Sequence, residues 1–140
     1  MIVRVVVAVV LFAVCAGVAW WIDRRRRADA PAQGPAAIPV QLDRADFPRP
    51  DVTWLVVLFT SNACASCAGL IDKATPLQSD DVAVVEVEYS VRRDLHERYH
   101  VQAAPLTLVA GPDGVVVAHL LGAFAAAELW AAVPSRRPPA

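Results

Sequence analysis

Trp54-Leu55-Val56-Val57-Leu58-Phe59-Thr60-Ser61-Asn62-Ala63-Cys64-Ala65-Ser66-Cys67 is the stretch that decides the fold. Its first six residues carry no polar side chain, so they read as a strand buried on both faces of a sheet. Ser61 or Asn62 can then act as N-cap for a helix opening at about Cys64. This junction sets two thiols one helical turn apart. Cys64 sits in the first turn, and Cys67 lies deeper, heading the apolar stripe Cys67, Leu70, Ile71, Ala74. In a first turn the helix dipole and unpaired N–H groups favour a thiolate, bringing a cysteine pKa from ~8.5 to roughly 7 or lower. The chemistry implied is nucleophile plus resolver: Cys64 attacks a partner's sulfur and Cys67 breaks the mixed disulfide from inside. The bland alternatives are half of a zinc site or two inert buried cysteines. A cysteine-only tetrahedral site needs about four ligands, and the remaining cysteine, Cys15, lies in a distant apolar segment.

From Val40 to Val133 the chain resembles the thioredoxin family. Trp54–Thr60 and Cys64–Cys67 look like the family's strand and active-site turn, and Ala104-Pro105-Leu106-Thr107-Leu108 looks like its cis-proline loop entering an antiparallel strand. Leu106–Ala110, the turn Gly111-Pro112-Asp113-Gly114 and Val115–Leu121 read as a hairpin. Gly122-Ala123 leads into a closing helix with Leu129 and Val133 on one face, Ala126 and Trp130 beside it. The resemblance implies an α/β thioredoxin-like mixed sheet of Trp54–Thr60, Val82–Tyr89, Leu106–Ala110 and Val115–Leu121 with helices on both faces. It also implies a cis peptide before Pro105, a loop lying against Cys64, and backbone groups of Ala104 and Pro105 offered to a docked polypeptide. Pro48, Pro50 and Asp43–Phe47 suggest that an irregular lead-in replaces much of the first helix.

Three departures from the commonest family pattern stand out: Ala65-Ser66 between the cysteines instead of Gly-Pro, Ala63 instead of Trp before Cys64, and Leu58 where a buried aspartate often neighbours the inner thiol. The proton that Cys67 must lose then needs another acceptor. Glu86, in the alternating run Val85-Glu86-Val87-Glu88, aligns with the strand position beside that aspartate. Burial there would raise its pKa toward neutrality and make it a workable base; the alternative is that Glu86 lines a solvated edge with Glu88.

Ahead of this domain, Val5–Ile22 runs 18 residues without a charge. At ~1.5 Å per residue that is about 27 Å, near the thickness of a bilayer's hydrocarbon core. Trp20 and Trp21 suit an interfacial belt, and Arg24–Arg27 is a stop-transfer block. The organisation expected is a transmembrane anchor over 1–23, with residues 3–22 in the membrane, an arginine block and Ala/Pro-rich tether over 24–39, a domain over 40–134 and a disordered tail over 135–140. A cleaved signal peptide and a lipid anchor at Cys15 are the competing readings; the long apolar core and Val14 ahead of Cys15 count against them. The positive-inside rule puts the arginine block and the domain in the cytoplasm, in a single-pass bacterial membrane protein; an extracytoplasmic domain is the alternative.

Residues 40–140 hold eight Lys and Arg against twelve Asp and Glu, a net of −4, so nucleic-acid binding has no electrostatic support. His96-Glu97-Arg98-Tyr99-His100 matches H-E-x-x-H, the zinc-hydrolase spacing. A helix over Val91–Tyr99, capped by Ser90 and burying Val91, Leu95 and Tyr99, would leave His96 and His100 on its solvated side as a chance match, and His119 reads as an edge residue. No metal and no bound cofactor are expected, since a redox-active disulfide itself carries the electrons. The function expected is a membrane-tethered thiol–disulfide oxidoreductase, a monomer acting on protein thiols and disulfides with a recycling reductase or oxidase. The alternative is a redox-inactive thioredoxin-like interaction module that binds a partner chain through the Pro105 loop.

Overall fold

The computed structural model describes residues 1–28 and 37–134 and divides into two units, Met1–Ala30 and Pro31–Ala140. The first is one helix, α1 (Ile2–Ala28), whose stretch Ile2–Trp20 is long and apolar enough to cross a membrane. Most of the expected tether and the tail 135–140 lie outside the described residues.

The second unit is built on a four-stranded mixed sheet ordered β2-β1-β3-β4, with β1 (Trp54–Thr60), β2 (Val82–Glu88), β3 (Leu106–Ala110) and β4 (Val116–Leu121). β1 pairs parallel with β2 and antiparallel with β3, and β4 runs antiparallel to β3. Every residue of β1 is buried, as its uninterrupted apolar run requires. Trp54, Val56 and Leu58 face a core shared with Leu70, Ala74, Phe124 and Leu129; Leu55, Val57 and Phe59 face a second core with Leu42, Phe47 and Leu95. Helices α2 (Leu70–Ala74) and α4 (Ala126–Ala132) therefore cover the first face, and α3 (Arg93–Arg98) covers the other.

The lead-in is irregular, a single 3-10 turn at Arg44–Asp46. It is tied down by Tyr99, whose hydroxyl accepts from the Asp43 N–H at 3.0 Å and donates to Asp46. Gly114, at φ +78°, closes the β3–β4 turn and lets the Leu42 carbonyl approach where a Cβ would sit, with Leu42 N–H donating to Gly114 O at 2.8 Å.

Two expected helices differ. The segment after Cys64 is a one-turn 3-10 helix, Ala65–Cys67, followed by extended Ala68 and left-handed Gly69 (φ +73°) before α2 begins. A glycine at that conformation terminates a helix in the usual way, so the helix expected to open at Cys64 is interrupted after one turn. The stripe nonetheless packs inward at Cys67, Leu70 and Ala74. Likewise α3 starts at Arg93, not Val91, because the Glu88 carboxylate accepts the N–H groups of Ser90 (3.0 Å) and Val91 (3.2 Å) and folds them into a turn. Val91 is accordingly 75% exposed, contrary to the buried position expected for it.

Candidate active site

β1 delivers the chain through Thr60 to a short connection, Ser61–Ala63, in which Ser61 Oγ accepts from Ala63 N–H (3.3 Å) and Ser61 O from Cys64 N–H (3.1 Å). Cys64 caps the one-turn helix with extended backbone, and Cys67 reaches inward to form a disulfide with it, Cα to Cα 5.4 Å. The two sulfurs are unequal in access: Cys64 is half-buried, whereas Cys67 is only 8% exposed. The Ser66 hydroxyl lies 3.3 Å from Cys64 Sγ, within reach to donate to it. The continuous helix expected to open at Cys64, whose dipole would favour its thiolate, is replaced by this single 3-10 turn.

The Ala104–Pro105 peptide is cis, and its loop lies against the disulfide, with Ala104 O 3.6 Å from Cys64 Sγ. That oxygen can accept the S–H of a reduced Cys64. Pro105 is buried, Ala104 half-buried, and Pro105 O accepts from Gly122 N–H at 2.8 Å, which anchors the loop to the end of β4.

Beside the dithiol opens a cleft of about 270 Å³ whose lining includes Cys67, Ile71, Thr60, Glu86 and Glu88. Glu86 stands opposite Leu58 in the β1–β2 register, and Glu88 opposite Thr60. The register thus brings Glu86 to the dithiol side of the sheet, and of the two readings of this residue its exposure agrees with the solvated edge and not with burial; the buried Thr60 hydroxyl donates to its Oε1 at 2.8 Å. A strand at the sheet margin with few covering residues keeps this carboxylate wet. Glu88 is half-buried; burial works to raise its pKa, but hydrogen bonds from Ser90, Asn62 and Val91 outweigh it and hold the carboxyl below the usual range. Thr60, Ser66 and Glu88 escaped the sequence reading; the Glu86/Glu88 alternation was the available signal for the last of them.

The H-E-x-x-H stretch is not on one solvated helix face. His96 is 1% exposed, packed edge-on against Phe59 (5.0 Å) and Tyr89 (5.1 Å), with Nε2 2.9 Å from Val87 O, so the expectation of a wet His96 fails. In α3 the adjacent Leu95 and His96 are both buried, so the helix face on the sheet takes in His96, and exposed His100 lies beyond Tyr99 at φ +52°. Among the described residues no group of three His, Cys, Asp or Glu side chains is placed to hold a metal. His119 is exposed on β4.

No family model matches the chain, and no curated protein does. Solved structures do. A mutant thioredoxin from Halobacterium salinarum matches with a TM-score of 0.58 at 22% identity, covering 80% of this chain and 95% of that one. StoA from Bacillus subtilis matches at 0.50 and 14%, covering 73% and 98%. Oxidized mitochondrial thioredoxin 3 from Saccharomyces cerevisiae matches at 0.50 and 23%, covering 60% and 79%. The fold is thus thioredoxin-like, and it carries a disulfide-forming cysteine pair at Cys64 and Cys67.

Proposed function

We propose that the chain is a membrane-tethered thiol–disulfide oxidoreductase acting on protein thiols and disulfides through Cys64 and Cys67. The observation that carries this reading is the asymmetry of the pair: an accessible sulfur beside the Pro105 loop, bonded to a sulfur 8% exposed in the core. In the reducing direction the Cys64 thiolate attacks one sulfur of a substrate disulfide and expels the other as thiolate. Cys67, losing its proton, then attacks Cys64 Sγ, releasing the second substrate thiol and closing the Cys64–Cys67 disulfide. Two electrons pass to the substrate and two protons end on its thiols. In the oxidising direction a substrate thiolate attacks Cys64 Sγ and Cys67 leaves first. Either cycle needs a recycling reductase or oxidase and no bound cofactor or metal.

Substrate backbone docks at Ala104 and Pro105, and Glu86, fixed by Thr60 in the same cleft as Cys67, accepts the resolving proton through water. The helix Ile2–Trp20 supports a single-pass anchor that raises the effective concentration toward membrane-bound partners. Its charge bias, Arg4 ahead and Arg24–Arg27 behind, supports a cytoplasmic domain.

Partner trapping tests the reading. A Cys67→Ala variant expressed in cells should accumulate mixed disulfides that disappear when Cys64→Ser is added; their absence, together with slow alkylation of Cys64, would favour a redox-inactive module binding through the Pro105 loop. In intact cells an impermeant thiol reagent should miss Cys64; labelling from outside would refute the cytoplasmic orientation.

A further inference from the structure

We infer that Glu88 is a positioning residue for the dithiol: its carboxylate clamps the connection before Cys64 to the turn after β2, and so holds Cys64 where it can close onto Cys67. This rests on the redox reading of that pair. The connection has little else to hold it. Buried Ser61 fixes its start, but Asn62, Ala63, Ala65 and Ser66 are all exposed, so core packing does not fix the residues around Cys64. The bonds from Ser61 to Ala63 and Cys64 are internal to the loop and cannot orient it against the sheet. Glu88 Oε1 accepts from Asn62 N–H at 3.0 Å, which links the loop to a neighbouring strand.

The other oxygen, Oε2, accepts from Ser90 N–H at 3.0 Å, Ser90 Oγ at 2.5 Å and Val91 N–H at 3.2 Å, so the carboxylate is itself held from behind. The backbone reinforces this, with Tyr89 N–H donating to Thr60 O at 2.9 Å and Val91 and Arg92 N–H to Glu88 O at 3.2 and 2.8 Å. A carboxylate anchored on one side and reaching a loop amide on the other lowers the entropy that Cys64 must lose to meet Cys67. Preorganisation of that kind appears in the equilibrium for closing the disulfide. A glutamate spans the gap; an aspartate on the same strand, shorter by one methylene, keeps the charge but not the reach.

The test uses the full chain with Cys15→Ser, so that Cys64 and Cys67 are the only thiols, equilibrated with glutathione buffers. Glu88→Gln, whose one acceptor oxygen can serve Asn62 or the Ser90 and Val91 amides but not both, and Glu88→Asp should each lower the equilibrium constant for disulfide closure by about tenfold, equal to ~30 mV for this couple. Ser90→Ala, which keeps Asn62 bonded to Glu88, should leave it within about twofold of the parent. An unchanged constant in both Glu88 variants overturns the inference. So does a loss in Glu88→Gln alone, which would make charge the cause, or an equal loss in Ser90→Ala, which would make Glu88 only a cap for the β2–α3 turn. If either Glu88 variant fails to unfold cooperatively, faster hydrogen exchange at the Asn62 amide in the other decides the matter, and unchanged exchange there counts against the clamp. Glutathione equilibration needs no protein substrate, so a failure of this inference is distinguishable from a failure of the redox reading, which Cys64→Ser tests on a protein disulfide.

Discussion

Two short motifs in this chain advertise chemistry, Cys-x-x-Cys at Cys64–Cys67 and His-x-x-x-His at His96–His100, and the fold treats them in opposite ways. The first lies on a connection between a strand and a broken helix, where Cys64 keeps a half-exposed sulfur next to a cleft and a cis-proline loop. The second lies on a helix of six residues whose first histidine turns into the core and whose second falls past the helix end. Spacing alone separates neither from chance. What separates them is whether the backbone leaves the side-chain atoms reachable: Nε2 of His96 is occupied by Val87 O, whereas Cys64 Sγ lies against the Pro105 loop beside the cleft.

The largest effect that would break this contrast is at Cys64. Cys64→Ser should bring reduction of a protein disulfide to the uncatalysed background, while Cys67→Ser should retain the first attack and stall as mixed disulfide, visible on non-reducing gels. Residual turnover in Cys64→Ser would shift the chemistry elsewhere and dissolve the comparison.

Next is the buried histidine. His96→Ala removes a ring packed between Phe59 and Tyr89 together with the hydrogen bond to Val87 O, so it should cost about 2–4 kcal/mol of stability by denaturant titration. His100→Ala, at an exposed position, should change stability by less than ~0.5 kcal/mol. Equal, small effects would mean that the two histidines share a solvated face after all.

His96 also sets a pH dependence. Burial lowers its pKa from the ordinary 6.5, and the Val87 carbonyl and the charge of Glu88 only partly oppose this. The unfolded chain therefore takes up a proton at pH values where the folded chain does not. Stability should be fully present above pH 6.5 and decline as pH falls below it, with a slope of at most about 1.4 kcal/mol per pH unit, until the folded-state pKa is passed. His96→Phe should flatten that slope between about pH 6.5 and the range where carboxylates titrate. An unaltered slope would assign the proton uptake to another group.

Much of this arrangement was legible in the residues. The apolar run of β1, the Cys-x-x-Cys spacing, the hairpin at Gly111–Gly114 and the loop at Pro105 each carry a local signal strong enough to set an element. What escaped was long-range. Nothing near Val91 tells that a carboxylate three residues earlier will capture its amide, and periodicity alone made Val91 a core residue; in the fold Glu88 wins that competition. The burial of His96 likewise depends on distant partners, Phe59 on β1 and the Val87 carbonyl on β2. Gly69 did hold a readable signal, a helix stop five residues after Cys64, outweighed by the stripe that continues through Leu70 and Ala74. Glu86 shows the opposite limit: its strand position was legible from alternation, but its exposure depended on what the sheet margin leaves uncovered.

The smallest expected effect sharpens the dithiol side of the comparison. Leu58 offers no proton acceptor on β1, and in the proposed cycle Cys67 gives up a proton beside the cleft, where Glu86 is the carboxylate held by Thr60. Because Glu86 is exposed, water competes with it as acceptor, and a several-fold effect is the most that a single general base should lose here. Glu86→Gln keeps the shape and can still accept from Thr60, but cannot take a proton. Rapid-mixing measurements near pH 7 should show resolution of the Cys64 mixed disulfide slowed roughly threefold to fivefold, with the initial attack by Cys64 changed by less than about twofold. Thr60→Val should slow resolution by a smaller factor, since it frees the carboxylate without removing it. If resolution is untouched in both variants, solvent takes the proton directly, and the Cys67 side of the pair depends on burial alone.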